Sequence, residues 1–288
     1  MPFPVTTTTQ VLSIDKNLIQ SRVRDVLGIS TSGYGISALE SSLSSTGTRI
    51  RSSDFQNLYN DLNRVYQHQT GDTLNTLTFS SGTFITTGSI NYLSTISEYI
   101  VTNRYTVHPS ETLEVVTLTD SRTSVWDGQV STSVLCTWTS MLQADYFFNC
   151  GGVIKFDTSH LNNWWTPEDR DWQRLVDEIG TYTVNRAVWI NAVNVVTTYT
   201  SNAPYTSIAT VRVTYSDRSV LFDVQLINST EALIAYPDAL EYSVQDGTIS
   251  DLTLTSSLDV LHNTVFVTTS TLNLTVSPFV VGYDLNQT

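Results

Sequence analysis

Residues 140–180 of this 288-residue chain read SMLQADYFFNCGGVIKFDTSHLNNWWTPEDRDWQRLVDEIG. Leu142, Tyr146 and Phe147 recur at helical spacing near the start of the stretch. The segment 149–152 (Asn-Cys-Gly-Gly) ends that helix, because glycine adopts the positive φ of a helix exit. A strand is predicted directly after this exit.

The second half of the stretch predicts another helix, placed between strands. It begins at Thr166, with Pro167 at the first helical position and Asp169 three residues after the cap, and Gly180 ends it. Its apolar side chains recur at i, i+3, i+4 and i+7 and are Trp172, Leu175, Val176 and Ile179.

Three more helices are predicted before residue 105. The first ends at Gly28, the second runs from a capping box at 53–56 to His68-Gln69-Thr70-Gly71, and the third covers 86–104. The apolar stripe of the first helix comprises Ile14, Leu18, Ile19, Val23, Val26 and Leu27. Helices with such stripes can form a small bundle, since each buried large apolar side chain contributes roughly 1.5–3 kcal/mol.

From residue 113 the apolar period changes from helical to alternating, which predicts strands. Turn signals lie at 216–219 and at Asp246-Gly247, and Pro278 is expected to end the last strand. Short strands about 8–12 residues apart favour an antiparallel sandwich of immunoglobulin-like type. The strands are predicted at 113–119, 131–139, 181–190, 193–200, 207–215, 219–228, 240–245, 248–257 and 262–276.

The predicted fold class is therefore α+β, a small helical domain followed by a mainly antiparallel β-sandwich with an inserted helix. The expected division is an extended arm at 1–12, a helical anchoring domain at 13–105 and the sandwich-like domain at 106–288. The arm is rich in proline and threonine and either frays or adds to a neighbour's sheet.

Composition argues against several classes of function. Only 14% of residues are charged, against roughly 25% in typical domains. A net charge of −13 disfavours nucleic acid as a partner, because phosphate binding requires Lys and Arg. We also expect no signal peptide and no membrane partner, since no apolar run reaches about 18 residues. Cys136 and Cys150 are expected to be buried free thiols rather than a disulfide, and no metal site or cofactor is predicted.

Two sets of spaced motifs resemble virion structural proteins of tailed bacteriophages, chiefly phages of cyanobacteria. One is the pattern DYFFNxGGxIxF, which stands at 145–156. The other is a helical module with Val26-Leu27-Gly28, Gly33-Tyr34-Gly35, Thr48 to Ile50, Phe55, Leu58, Asp61 and the closing HQTG at 68–71.

The resemblance implies a particle component of the neck, collar or tail, assembled in the host cytoplasm, which contacts other virion proteins and copies of itself. It supplies no catalytic residues, so we expect no enzyme. The segment 160–165 (His-Leu-Asn-Asn-Trp-Trp) is bulkier than the small residues usual in the family, so the partner that this loop contacts is expected to differ.

Two alternative functions follow from other features. Trp164 and Trp165 either contact protein, belong to a core or stack on a sugar, and the last case corresponds to a glycan- or receptor-binding fibre module. A hydrolase would need paired carboxylates, for which the helix start offers candidates, although acidic residues there also serve capping. His68 is more simply a structural histidine at a helix end. The acidic candidates are Glu168, Asp169, Asp171, Asp177 and Glu178, and the candidate interface residues are Trp164, Trp165, His160, Tyr34 and His68.

Overall fold

A computed structural model describes residues 13–45, 49–80, 85–109, 113–122, 129–161, 167–202, 206–228, 253–263 and 272–282. The chain divides into two compact units, each built from separated segments. The helical unit comprises Met1–Glu114, Leu142–Gly152 and His262–Thr269, and the β unit comprises Val115–Met141, Val153–Leu261 and Ser270–Thr288. The predicted arm at 1–12 lies outside the described residues.

Four helices form the described part of the helical unit: α1 (Ser13–Leu27), α2 (Ser52–Thr70), α3 (Thr87–Thr102) and α4 (Met141–Asn149). The expected division at residue 105 left α4 with the strands, whereas the helical unit includes Leu142–Gly152. All four helices contribute fully or almost fully buried side chains to the core, among them Val23, Val26, Leu27, Phe55, Leu58, Leu62, Ile90, Leu93, Phe147 and Phe148.

The buried face of α1 differs from the predicted stripe. Ile14 and Leu18 are 69% and 43% exposed, whereas Lys16 and Gln20 are buried. The Lys16 ammonium donates to the Ser42 carbonyl and to Ser44 Oγ (3.0 Å), so its polar atoms are satisfied inside the unit. Burial of a lysine requires such partners, and a hydrophobicity pattern cannot show them.

The capping box of α2 also begins two residues before the predicted one. Arg51 is the N-cap residue, and the Asp54 carboxylate accepts a hydrogen bond from its backbone N–H at 2.7 Å. Asp54 is therefore the N3 residue, a position predicted for Gln56. The third predicted helix is present as α3, and Thr86 caps it, since its hydroxyl accepts from the Ser89 N–H at 3.2 Å.

The described part of the β unit contains two sheets. One has the order β1-β8-β3-β4 and the other the order β5-β6-β7-β2-β9. β6 and β7 form a hairpin in which Ser216 pairs with Ser219, which confirms the predicted turn at 216–219. The strands are β1 (Leu113–Arg122), β2 (Gln129–Trp138), β3 (Val153–Leu161), β4 (Tyr182–Val184), β5 (Val195–Asn202), β6 (Thr206–Ser216), β7 (Ser219–Asn228), β8 (Thr253–Asn263) and β9 (Leu272–Gly282).

Side chains of β2 and β7 alternate between buried and partly exposed, and those of β6 alternate between buried and more exposed as far as Thr214. On β7, Phe222 is fully buried, and its ring stacks on that of Phe156 in β3, with centroids 5.1 Å apart and 7° between the planes. Because β3 and β7 belong to different sheets, this pair joins the two sheets within the unit. The other buried side chains of the five-stranded sheet include Val130, Val134, Cys136, Trp138, Ala209, Val211, Val213, Val220 and Val224.

Two helices lie between strands of the β unit, α5 (Pro167–Ile179) and α6 (Arg186–Ile190). α5 begins at the predicted proline, and Gly180 follows it with φ +59°. The predicted strand at 181–190 is wrong beyond Val184, because Asn185 caps α6 by accepting a hydrogen bond from the Val188 N–H at 3.1 Å.

The prediction that Pro278 ends the last strand is also wrong. β9 continues through it to Gly282. Ser131 pairs with Val280 and Ser133 with Ser277, so β9 has one extra residue here, which is a β-bulge. Proline has no backbone N–H to donate. It is tolerated here because β9 is an edge strand and because the bulge interrupts its hydrogen bonds to β2 at this point.

Taken together, the model confirms an α+β protein with helices first and antiparallel strands after them. Among the described residues, no helix combines the length and the apolar character needed to cross a membrane.

Candidate functional site

The residues that carry the two motif sets meet inside the helical unit. The loop after α1 (Gly33-Tyr34-Gly35) contacts both the end of α2 (His68 to Gly71) and the end of α4 (Tyr146 to Gly152). We call this cluster the motif junction. Its members are more than 100 positions apart at the extremes, so the junction is a product of the tertiary fold.

Tyr34 lies at the centre of the motif junction and is fully buried. Its hydroxyl donates to the Arg104 carbonyl and accepts from Gln69 Nε2 at 3.4 Å. Its ring meets the His68 ring edge-on, with centroids 5.4 Å apart. The Gln69 amide donates as well to the Ile100 carbonyl at 3.0 Å. Tyr34 therefore connects the loop after α1 to the ends of α2 and α3.

Asn149 connects the loop to α4. Its amide nitrogen donates to the carbonyls of Thr31 (3.0 Å) and Gly33 (2.9 Å), and its side chain is buried. The neighbouring Cys150 Sγ lies 3.9 Å from the Tyr34 carbonyl. The hydrogen bond to the Gly33 carbonyl is buried, and a buried carbonyl without a donor is costly in a protein interior.

Two positions in the motif junction require glycine, one in the loop after α1 and one at the end of α4. Gly35 has φ +83°, and a β-carbon there would lie 2.4 Å from the Tyr146 ring. Gly151 has φ +81° and completes a Schellman motif at the end of α4, in which the Gly152 N–H donates to the Phe147 carbonyl at 2.9 Å. Any other residue at these two positions would be both strained and obstructed.

Asp61, the acidic residue of the helical module, holds a second loop. Its carboxylate accepts from the backbone N–H of Ser41 at 2.8 Å and of Glu40 at 3.3 Å. From α1, Asn17 both donates to and accepts from the Ser44 backbone, each at 2.8 Å. An extended segment from Glu40 to Ser44 is thus fixed between α1 and α2 by side-chain contacts to its backbone.

Burial sets the chemistry of the motif junction. It raises the pKa of the Cys150 thiol well above its ordinary value and likewise raises the pKa of the Tyr34 phenol. A thiol with a raised pKa stays protonated at neutral pH and is a poor nucleophile. The Cys150 thiol and the Tyr34 phenol therefore contribute to the motif junction by hydrogen bonding and packing.

The structure places the predicted interface residues in different environments. Tyr34 and His68 are both buried, and His68 ends α2 as the structural alternative expected. In β3, the backbone of His160 pairs with that of Leu254, while its side chain is outside the described part. Trp164 and Trp165 lie outside the described residues. Among the candidates whose side chains the structure describes, Tyr34 and His68 are in contact with each other.

The acidic candidates lie along α5. The side chains of Glu168, Asp169 and Asp171 are outside the described part of the chain. Asp177 and Glu178 are exposed, and the Asp177 carboxylate accepts from Gln173 Nε2 at 2.6 Å, one helical turn away. These two carboxylates have the surroundings of a solvated helix face.

Sequence reasoning missed four residues on which the helical unit depends. Asn149 was interpreted only as part of a helix exit, and the roles of Lys16, Gln20 and Gln69 left no signal in the apolar pattern. The available hint was positional, because Lys16 and Gln20 stand at i−3 and i+1 relative to Ile19, on the face that Val23 and Val26 continue.

Comparison with models of known protein families, with curated proteins and with solved structures finds no match for this chain.

Proposed function

We propose that this chain is a structural component of a tailed phage virion, in the neck, collar or tail, and that it acts by binding other virion proteins without catalysis. The observation that carries the proposal is the motif junction. The two motif sets of the resemblance are distant in sequence, yet Asn149 and Gly33 are joined by a 2.9 Å hydrogen bond within one unit. Two motif sets that contact each other within one folded unit are expected of a structural module that is inherited as a whole.

An exposed cleft on the helical unit supports a protein partner. It has a volume of about 540 Å³ and lies between α1 and the loop that follows it. Ile29 and Leu43 line it and are 62% and 53% exposed, next to Ile36 and Leu39. Contiguous exposed apolar side chains with a polar rim are typical of interaction surfaces.

We further propose that the β unit is an immunoglobulin-like sandwich with α5 as its inserted helix. The stacked pair of Phe156 and Phe222 supports this arrangement, as does the alternation of buried side chains along β2, β6 and β7. A rigid sandwich suits a module that projects from a particle or packs against its copies.

The proposal is tested by purifying intact particles of a phage that encodes this chain. Mass spectrometry should find the chain in the particles at a fixed copy number, and imaging should trace it in the neck, collar or tail with Trp164 and Trp165 covered by a neighbour. Trp164 and Trp165 at a solvent-facing tip would favour the glycan-binding alternative instead. Absence of the chain from washed particles would contradict the proposal.

A further inference from the structure

The two edges of the five-stranded sheet differ in their protection. An edge strand presents unpaired N–H and C=O groups, and proteins commonly block such an edge with proline, charge or a bulge. β9 forms one edge and has both Pro278 and a bulge. β5 forms the other edge, and among the strands that the structure describes it pairs only with β6.

β5 has none of these protective features. Its register with β6 is continuous from Val195 to Asn202, without a bulge. No proline lies within it, and no charged residue occurs between Arg186 and Arg212. In a chain whose net charge is −13, this uncharged segment sets no like charges opposite each other when it pairs with a copy of itself.

An apolar surface adjoins this open edge. Ile190 ends α6, Val193 lies two residues before β5, and Val196 is the second residue of β5. Their side chains are 56%, 71% and 58% exposed, respectively. All three fall within seven consecutive residues. Large exposed apolar side chains beside an open strand provide area for a partner in addition to the backbone hydrogen bonds.

We propose that β5 pairs antiparallel with β5 of a second copy of this chain, so that the five-stranded sheet continues across a two-fold axis. The inference rests on the assembly function proposed above, for which it names one partner. Residues opposite each other in an antiparallel pair lie on the same face, so an axis at Thr198 places Val196 opposite Thr200 and Thr197 opposite Tyr199. These are the β-branched and aromatic pairs that stabilise cross-strand contacts.

A cysteine at the axis tests this contact in the purified full-length chain. Thr198→Cys should form a disulfide-linked dimer under mild oxidation, because residues that face each other across the axis come within disulfide range. The native cysteines should not interfere, since Cys136 and Cys150 are buried free thiols. The matched control is Thr183→Cys, an exposed threonine on the edge strand β4 of the other sheet, which should remain monomeric.

A charge placed on the edge provides a second measurement. Val196→Lys should weaken dimerisation about tenfold or more in sedimentation experiments, because it replaces an exposed apolar side chain of the proposed contact with a charge that the contact would have to bury. Thr214→Lys adds the same charge to the same face of the inner strand β6 and should leave dimerisation unchanged.

The outcomes separate this contact from the proposed function. A monomer at all concentrations, or equal cross-linking of Thr198→Cys and Thr183→Cys, would overturn the contact. So would a dimer that Val196→Lys leaves intact and that deletion of residues 1–12 abolishes, because the arm would then be the partner segment. The chain's presence in particles would still support the proposed function in each of these cases.

Discussion

The helical unit and the β unit bury their side chains by different means. Buried polar groups connect the loops of the helical unit to its helices, and they include Lys16, Gln20, Asp61, Gln69 and Asn149. In the described part of the β unit, the buried polar side chains are Thr132 and Thr158, and apolar alternation fills the rest. The comparison indicates that the helical unit depends on specific hydrogen bonds between buried polar groups. The β unit depends instead on the volume of its buried apolar side chains and on their alternation along the strands.

The largest expected effect comes from obstructing the motif junction. Gly35→Val should destabilise the helical unit by about 3 kcal/mol or more, because a β-carbon would overlap the Tyr146 ring at a backbone with φ +83°. Hydrogen exchange should show loss of protection in peptides from α1, α2 and α4. Gly88→Ala is the control, since nothing lies closer than 3.8 Å to that β-carbon and alanine favours a helix. Equal protection in the two variants would contradict the account.

A comparable loss is expected from the β unit when volume is removed. Phe222→Ala should cost about 3–5 kcal/mol, because it leaves a cavity against Phe156. Hydrogen exchange of peptides from β2, β6 and β7 would report the loss. Leu221→Ala changes the neighbouring residue on the partly exposed face and should cost less, and a reversed order would show that the assigned faces are wrong.

A smaller loss of stability is expected when the hydrogen bonds of one buried polar side chain are removed. Asn149→Ala should destabilise the helical unit by about 1–3 kcal/mol, since the carbonyls of Thr31 and Gly33 lose their donor inside the unit. Asn191→Ala removes a similar contact at the exposed end of α6 and should change stability by less than about 0.5 kcal/mol. Chemical denaturation of both variants measures the difference, which should vanish if Asn149 is merely a helix terminator.

The most gradual effect is a loss of stability at alkaline pH. Burial raises the pKa of Cys136 to about 12 and raises that of Cys150 well above the ordinary thiol value of 9.0. The stabilising contribution of each thiol is therefore complete below pH 9.0 and is lost as the pH rises above it, by at most about 1.4 kcal/mol per pH unit. Cys150→Ala should flatten this slope for the helical unit and Cys136→Ala for the β unit. Unchanged slopes would show that these thiols are not buried as described.

Local signals predicted most elements of the fold, and contacts distant in sequence account for what they missed. Pro167 and Gly180 mark the two ends of α5 by chemistry within a few residues, and both were predicted. The burial of Lys16 depends on Ser42 and Ser44, which lie on a loop beyond the same helix. Likewise, the bulge that admits Pro278 depends on pairing with β2, more than 100 residues earlier.

The candidate site was predicted only in part, for the same reason. Both motif sets were identified, but their meeting is set by Asn149 and Tyr34, whose partners are carbonyl groups that carry no side-chain signature. Tyr34 was expected to contact a partner protein, and the structure places it in the interior of the helical unit. Surfaces for partners are therefore to be sought away from the motifs.

A double-mutant cycle between Gly35→Ala and Tyr146→Ala tests the motif junction most directly. The added methyl group at residue 35 overlaps the Tyr146 ring, so Gly35→Ala should cost less in the Tyr146→Ala background, with a coupling of about 0.5–3 kcal/mol in the free energy of unfolding. Such coupling would show that the loop after α1 and helix α4 form one folded unit. Additive effects would show that the two motif sets do not meet, and the structural module on which the proposed function rests would not exist.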